Sequence, residues 1–327
     1  MCKVSWVLPL MTLTLLAFAN PAAWAGAPAR ASQVAGLPIG TCARGCLVGF
    51  MDQYLAALVK HDPSGLPVAG DIKCTENTKK LTLGDGLWKT IQDLKFRGET
   101  VADPRTGQVV FFGAVDEANA VALLMVRLKV ANDKMTEVET TVSRPSDMSR
   151  GFEFKPDLQL LAITKPYYDD VLPDSERESR DQLIARTNSY FDGIEHEPGN
   201  VPFSPECNRV ENGRLTTNNP DGNSGLPSLG CAAGFQEKRF TFIVKIRDRR
   251  FPVVDETRGL VVAMIIFDVP GVKSRIVDGK EVAAPPSQSM PRNNVLTELF
   301  KMESGRIHLI QAFMLPTMPY GTQNGWN

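Results

Sequence analysis

The chain has 327 residues, of which 43% are hydrophobic and 22% charged, and its 36 Lys and Arg nearly balance its 37 Asp and Glu. This composition is typical of a globular protein with a packed core, and the length favours two domains. A nucleic-acid binder needs a basic face to neutralise phosphates, and the net charge of −1 argues against one. Three histidines in the whole chain argue against a His-rich metal site. We therefore predict neither a nucleic-acid partner nor a metal ion.

The first 25 residues have the pattern of a cleaved secretory signal peptide. Lys3 supplies a positive charge, residues 7–18 form an apolar run, and Ala23-Trp24-Ala25 is a small-x-small cleavage site. The apolar run is shorter than the roughly 20 residues that a transmembrane helix needs, so we predict no membrane span. The pattern indicates export to the periplasm or out of the cell.

Five cysteines remain after this cleavage, and an oxidising compartment favours their pairing. Cys207 and Cys231 enclose a loop rich in Gly, Asn and Pro, which predicts a disulfide between them. Cys42, Cys46 and Cys74 leave room for one further pair, and the sequence does not say which two residues form it.

Helix and strand patterns occur in the same order in the two halves of the chain. Apolar residues at helical spacing predict a helix over 47–58, and strand-like runs follow at 109–115, 121–130 and 135–142. We interpret residues 146–174 as an extended surface connector. A second helix is predicted after Ser175, whose side chain and that of Glu178 form a capping-box pattern. Further strands are predicted over 240–247, 261–267, 295–302 and 307–315.

Short motifs also recur in one order, which indicates an internal duplication. In both halves a Tyr precedes a His-acid-Pro segment, a Cys precedes Glu-Asn, and an Asp precedes a turn that ends in Gly. The first copy has these motifs at Tyr54, 61–67, Cys74, 76–77 and 103–107, and the second has them at Tyr190, 196–202, Cys207, 211–212 and 255–259. The predicted domains are therefore a signal peptide (1–25), a first module (26–145), a connector (146–174) and a second module (175–320).

The stretch from Cys46 to Arg144, with GQVVFFG, and the later segments SRDQLIARTNSYFDGIE and RRFPVVDETRGLVVAM resemble the SnoaL-like or nuclear-transport-factor-two-like (NTF2-like) superfamily. Within it, they resemble a family of unknown function that here has two tandem modules. The resemblance implies an α+β fold of two tandem cone-shaped barrels, each a curved antiparallel sheet wrapped on helices with one open mouth. The superfamily includes lyases, isomerases and plain binding modules, so the resemblance does not imply one activity. Its dehydratases often carry an Asp near the helix end, where this chain has Val59 and Ile194.

The turn at Asn132-Asp133 suggests a pair of catalytic carboxylates. A two-residue turn would place Glu137 and Glu139 opposite Leu128 and Val126, on an otherwise apolar face of the sheet. In a concave sheet such carboxyl groups would have raised pKa values and could act as general acid and base. If the register slips by one residue, the glutamates instead face outward and pair with Arg127 or Lys129.

The remaining candidates line the same predicted cone, and each has a structural alternative. Tyr54 could polarise a substrate carbonyl or be a core tyrosine with one hydrogen bond. Trp88 could stack on an aromatic ligand or fill the core. Asn77 and Glu76 could orient a substrate or fix a turn, and Asp52 lies beside the apolar helix face. His61 and His196 sit at predicted helix ends, where a histidine interacts well with free carbonyl groups.

Two functions follow from these observations. The first is a cofactor-independent lyase or isomerase that transfers protons on a small hydrophobic or aromatic molecule, with Glu137, Glu139 and Tyr54 as catalytic groups. The second is a non-catalytic binding protein whose tandem cones form an intramolecular pseudo-dimer around such a ligand. A structural secreted module with filled cones is a third reading.

Overall fold

The computed structural model describes residues 42–118, 120–147, 154–196, 199–220, 228–277 and 279–326. The predicted signal peptide lies outside these residues, and so do residues 221–227 of the loop between Cys207 and Cys231. All described residues belong to one compact unit.

The first module is a helix packed against a six-stranded sheet. Its elements are α1 (Arg44–Val59), β1 (Val68–Glu76), β2 (Lys79–Leu81), β3 (Ile91–Asp103), β4 (Gln108–Glu117), β5 (Ala120–Ala131) and β6 (Lys134–Ser143). A short 3-10 helix, Gly86–Lys89, precedes β3. The strand order is β2-β1-β6-β5-β4-β3, with β1 parallel to β6 and the other neighbours antiparallel.

The predicted extended connector contains a helix, α2 (Leu158–Asp169), so that prediction is wrong. The Asp157 side chain caps α2 by accepting hydrogen bonds from two backbone N–H groups of its first turn. Leu161 and Tyr168 are buried, whereas Ile163 and Tyr167 on other faces are exposed. Apolar residues on both sides of the helix obscure the period that would have revealed it.

The second module repeats the first. Its elements are α3 (Arg180–Glu195), β7 (Phe203–Glu211), β8 (Arg214–Leu215), α4 (Cys231–Gln236), β9 (Lys245–Asp255), β10 (Leu260–Val269), β11 (Ser274–Val277), β12 (Lys280–Ala283), α5 (Pro286–Ser289), β13 (Arg292–Glu303) and β14 (Arg306–Met318). The strand order is β8-β7-β14-β13-β10-β9, which matches the first sheet position by position, and β11 and β12 form a separate hairpin.

Two predicted boundaries in this module are wrong. The capping box of α3 is formed by Ser179 and Gln182, four residues after the predicted pair, while Glu178 binds Arg186. Both sites carry the capping pattern, and a 3-10 turn at Asp174–Glu176 occupies the first. The strand predicted over 240–247 begins at Lys245, because residues 240–243 form a turn closed by a hydrogen bond from the Ile243 N–H to the Phe240 carbonyl.

Each sheet packs one face on its own helix and the other face on the other module. In β4, Val109 and Phe111 join the core around α1, while Val110 and Phe112 join a core shared with the second sheet. The rings of Phe112 and Phe313 meet edge to face across this shared core, with centroids 5.3 Å apart. Burial on both faces explains why β4 is apolar throughout. The α+β fold class and the tandem duplication are confirmed.

The duplication extends to individual hydrogen bonds. The Asn77 side chain accepts from the N–H of Val142 and donates to its carbonyl, at 2.8 and 3.0 Å. Asn212 makes the same two bonds to Met314, also at 2.8 and 3.0 Å. Both asparagines have positive φ, which Asn tolerates better than most residues. The repeated Glu-Asn motif therefore ends β1 and β7 and ties them to the last strand of each sheet.

Candidate functional site in the second cone

The matched strands identify two positions inside the cones at which the two modules differ in chemistry. Strand pairing, together with the equivalent hydrogen bonds of Asn77 and Asn212, makes Cys74 equivalent to Arg209 and Val126 equivalent to Glu298. The sequence comparison paired Cys74 with Cys207, and that pairing is wrong by two residues. The first cone thus has a free buried thiol and a valine where the second has a guanidinium and a carboxyl group. A tyrosine, Tyr54 or Tyr190, lies on the helix of each.

Arg209 is the centre of the second cone's polar group. It is 8% exposed and lies with its guanidinium 4.7 Å from the centroid of the Phe240 ring. Its Nε is 3.0 Å from an oxygen of Glu211, and its Nη1 is 3.4 Å from the Tyr190 hydroxyl. Burial by itself would lower the pKa of Arg209, but Glu211 and Tyr190 raise it, so the guanidinium stays charged.

Glu298 lies on β13 and is 1% exposed. Its neighbours directly across the sheet are Ala263 and Ala312. Burial raises the pKa of Glu298 to about 8, with the charge of Arg209 opposing the shift. One carboxyl oxygen, Oε2, is buried without a hydrogen-bond partner. Glu298 is therefore mostly protonated at neutral pH and has unused hydrogen-bonding capacity.

A cavity of about 100 Å³ lies beside Arg209, under the loop closed by Cys207 and Cys231. Its lining includes Arg209, Thr216, Ser228 and Phe240. Since water occupies about 30 Å³ in the liquid, the space fits a group of a few heavy atoms. Charged, hydroxyl and aromatic groups thus surround a space large enough for the polar end of a small molecule.

The first cone is filled where the sequence analysis placed its substrate. Tyr54 is 1% and Trp88 is 4% exposed, and both belong to the core around α1. Their rings meet edge to face with centroids 5.3 Å apart. Burial raises the pKa of Tyr54, so its hydroxyl stays protonated. The arrangement agrees with the core alternative for these two residues.

The predicted substrate-binding residues of the first module are engaged with protein groups. Glu76 accepts a hydrogen bond from the Leu87 N–H and pairs with Arg144 at 3.0 Å. Both functional atoms of the Asn77 amide bond Val142. Asp52 is half exposed and pairs with Arg97 at 2.6 Å. The structure does not bring these residues together around a common space, and their binding role stays a prediction.

The register predicted for Glu137 and Glu139 is wrong. A bulge at Lys129 and Val130 shifts the pairing by one residue, so that Glu137 lies opposite Lys129 and Glu139 opposite Arg127. Although burial opposes it, hydrogen bonds from Arg127 and Lys129 lower the pKa of Glu137, the reverse of the expected shift. The catalytic assignment of these glutamates stays a prediction, but it has lost the apolar face on which it was based.

The cysteines pair largely as expected. Cys207 and Cys231 form the predicted disulfide, and the undecided pair is Cys42 with Cys46, which leaves Cys74 as a buried thiol. Burial raises the pKa of Cys74 to about 11, so this thiol is unreactive as a nucleophile at neutral pH.

Both duplicated histidines contact a backbone carbonyl group through Nδ1. The Nδ1 of His196 is 3.3 Å from the Asp192 carbonyl oxygen in the last turn of α3, as the helix-end interpretation predicts. The Nδ1 of His61 is 2.5 Å from the carbonyl oxygen of Trp88, which lies outside α1, so this contact is not the predicted one.

Within the part of the chain that the structure describes, no three or more His, Cys, Asp or Glu side chains are grouped so as to hold a metal ion. Among the same residues, no helix has both the length and the apolar character needed to cross a membrane.

The sequence analysis missed both Arg209 and Glu298. The available signal was Glu298 within the apolar run Val-Leu-Thr-Glu-Leu-Phe of β13, at a position that alternation assigns to the same face as Phe300. That signal identifies the inner face only when the topology is known.

A model for a domain of unknown function, DUF8021, matches residues 176–314, which is the second module. A search of curated proteins found no match. Among solved structures, the chain is similar to AusH from Aspergillus nidulans, with 15% identity, 43% of this chain and 92% of that chain covered, and a TM-score of 0.27. It is similar to an NTF2-like protein of unknown function from Cytophaga hutchinsonii, with 8% identity, 31% and 91% coverage, and a TM-score of 0.25.

The de novo designed NTF2 fold protein NT-9 is also similar, with 12% identity, 32% of this chain and 89% of that chain covered, and a TM-score of 0.25. The protein from Cytophaga hutchinsonii and the designed protein NT-9 are named as NTF2-like and NTF2 fold proteins, which is the superfamily that the sequence resembles. The likenesses carry no conclusion about activity, and the fold assignment here rests on strand order and register.

Proposed function

We propose that the second module binds a small, largely apolar or aromatic molecule through an oxygen-bearing group, such as a carbonyl or carboxylate, held by Arg209. The observation that carries the proposal is the replacement of the first cone's Cys74 and Val126 by Arg209 and Glu298 at matched positions. Buried polar and charged side chains contribute little to stability compared with apolar packing, so the presence of Arg209 and Glu298 in only one of the two copies favours a function there.

As an enzyme, the protein would be a lyase or isomerase that needs no cofactor. The Arg209 guanidinium would stabilise negative charge developing on the ligand oxygen, and the Tyr190 hydroxyl lies within hydrogen-bond distance of that guanidinium. Glu298 would supply the proton, since it is protonated at neutral pH.

As a binding protein, the module would use the same Arg209 contact without turnover. The observation favouring this second candidate is that Glu298 does not line the cavity beside Arg209. A proton donor must come within hydrogen-bond distance of the reacting atom.

We place the protein outside the cytoplasm, in the periplasm or the medium. Two disulfides in the described residues support an oxidising compartment. We also propose that the two modules act as an intramolecular pseudo-dimer, in which the first module supports the fold of the second. Their shared apolar core supports this arrangement.

The test is mass spectrometry of molecules retained by the purified protein, followed by assays of binding and product formation with the molecule identified. Tyr190→Phe and Tyr54→Phe form a matched pair, because they make one chemical change at equivalent positions. We expect Arg209→Gln to abolish binding, Tyr190→Phe to weaken it several-fold, and Tyr54→Phe to leave it unchanged. Equal effects of the two Tyr substitutions, or full binding by folded Arg209→Gln, would contradict the site.

Product formation that Glu298→Gln abolishes favours the enzyme, and retention without product favours the binding protein.

A further inference from the structure

A second cleft, separate from the cone, lies where the two modules meet. Its volume is about 440 Å³, and α1, β3, α2 and the turn between β9 and β10 each contribute to its walls. Four cationic side chains line it: Arg44, Arg97, Lys165 and Arg258. Val48 and Val171 add apolar surface. Both the volume and the mixed lining are typical of small-molecule sites.

The cations of this cleft outnumber the carboxylates that pair with them. Arg44 and Arg258 share Asp255, which is 2.6 Å from each. Lys165 pairs with Asp169 at 2.8 Å. Arg97 pairs with Asp52 at 2.6 Å and remains half exposed. Apart from Glu99, four positive charges therefore face three carboxylates, and this excess of one positive charge favours a monoanion.

A buried carboxyl group next to the cleft changes this balance with pH. Glu99 on β3 is 2% exposed, and neither of its carboxyl oxygens has a hydrogen-bond partner. The nearer oxygen is 3.6 Å from the Lys165 ammonium, which is too long for a hydrogen bond. The charged groups acting on it are Lys165 and Asp169 of α2 and Arg258 of the turn, and all three line the cleft. The buried hydroxyl of Tyr168 on α2 also interacts with Glu99, and burial raises the pKa of Tyr168, so this group stays uncharged.

Burial is the largest influence on this group and raises the pKa of Glu99 to about 7, with Lys165 opposing the shift. In its neutral form Glu99 leaves the excess positive charge in place. When Glu99 ionises, its negative charge, 3.6 Å from the Lys165 ammonium, cancels that excess positive charge.

We propose that this cleft binds a small amphipathic carboxylate, and that ionisation of Glu99 weakens the binding. The ligand carboxylate lies among Arg97, Lys165 and Arg44, and its apolar part contacts Val48 and Val171. Because linkage is reciprocal, the bound carboxylate also favours the neutral form of Glu99. The site requires residues of both modules and of the connector, so it is a property of the assembled chain.

The test is isothermal titration calorimetry of the purified protein with octanoate at about pH 5.5 and about pH 8.5, on either side of the Glu99 transition. We expect saturable binding that is roughly tenfold weaker at the higher pH, the effect of one added charge at short range. Acetate, which lacks the apolar part, should bind more weakly, and octylammonium should not bind. Equal binding of octylammonium, or an octanoate affinity that does not change with pH, would overturn the proposal.

Matched variants separate this cleft from the rest of the protein. Glu99→Gln should bind octanoate at both pH values with the affinity that wild type has at the lower pH. Arg97→Gln should weaken binding at least fivefold, about the effect of one lost ion pair. Its counterpart Arg249, which pairs with Asp192 outside the cleft, should tolerate the same change. Equal losses in the Arg97 and Arg249 variants would contradict the assignment.

Discussion

Arg44 and Asp255 form a two-point ion pair that joins the two modules, with Nη1–Oδ2 and Nη2–Oδ1 distances of 2.6 and 2.7 Å. Arg180 pairs with Asp103 in the reciprocal direction. Each arginine is the first residue of its module's helix, and each aspartate begins the tight turn before Gly107 or Gly259. The ion pair between the modules is therefore duplicated along with the modules.

Removing Arg44 should destabilise the protein. Asp255 is buried with 1% of its side chain exposed, and Arg44→Gln leaves it with the Arg258 cation and its hydrogen bonds from Thr257, so we expect a loss of about 1–2 kcal/mol in the free energy of unfolding. Chemical denaturation measures this loss. The control is Arg105→Gln, since Arg105 is exposed and lies 3.7 Å from Glu256, and its loss should stay within about 0.5 kcal/mol. Equal losses would show that the Arg44 pair is no stronger than an ordinary surface pair.

The stability of the protein should fall as pH rises through neutrality. Glu298 and Glu99 have folded-state pKa values of about 8 and about 7, both above the normal value for glutamate. Between the normal glutamate pKa of the unfolded chain and these raised folded-state pKa values, the folded state binds more protons than the unfolded state. Raising the pH across this range therefore favours unfolding. Urea denaturation from about pH 5 to about pH 8.5 should show this fall. Glu298→Gln and Glu99→Gln should each reduce the dependence of the free energy of unfolding on pH. An unchanged pH dependence in both variants would contradict the assignment of these carboxyl groups as buried and neutral.

Asn77→Ala and Asn212→Ala should have similar effects on stability. Each removes two hydrogen bonds to buried backbone and places alanine at positive φ, so we expect a loss of about 2–3 kcal/mol in each case. Asn77→Gly keeps the backbone conformation accessible and should recover about 1 kcal/mol. The free energy of unfolding of the three variants checks this. A much smaller loss for Asn77 would reopen its predicted role in binding.

The two disulfides should contribute unequally to stability. The chain-entropy model assigns about 3.5 kcal/mol to the 24-residue separation of Cys207 and Cys231 and about 2 kcal/mol to the four-residue separation of Cys42 and Cys46. Replacing each pair with serines and measuring unfolding tests the difference. The Cys207/Cys231 variant should also lose ligand binding, because Cys231 lines the cavity beside Arg209. Unchanged binding would show that the loop does not shape the site.

Replacing Glu139 should affect stability rather than activity. Glu139 accepts from Arg127 at 2.7 Å and from Arg250 of the other module at 2.6 Å, so Glu139→Ala leaves the buried Arg127 and the partly buried Arg250 with fewer partners. We expect a loss of about 3 kcal/mol by denaturation. The milder Glu137→Gln/Glu139→Gln double variant should keep full turnover or binding of the identified ligand. Loss of turnover in a folded double variant would restore the catalytic assignment.

The last three strands of each module's sheet, and the duplication, were predictable from the sequence because they depend on local patterns. Alternation and continuous apolar runs identified β4, β5 and β6 to within one or two residues at each end. The Cys207–Cys231 pair was predictable from its loop. The helix α2 was not predictable, since Ile163 and Tyr167 place apolar side chains on its exposed faces.

The sequence alone determined the α+β class, the tandem modules and the pairing of Cys207 with Cys231. Only the tertiary structure decided which face each residue occupies, because the side-chain period of a strand is two and one bulge at Lys129 moved Glu137 and Glu139 from the expected face to a pair of cations. The candidate site depended on the same information. Arg209 and Glu298 are about ninety residues apart in the chain, and strand pairing places both inside the second cone.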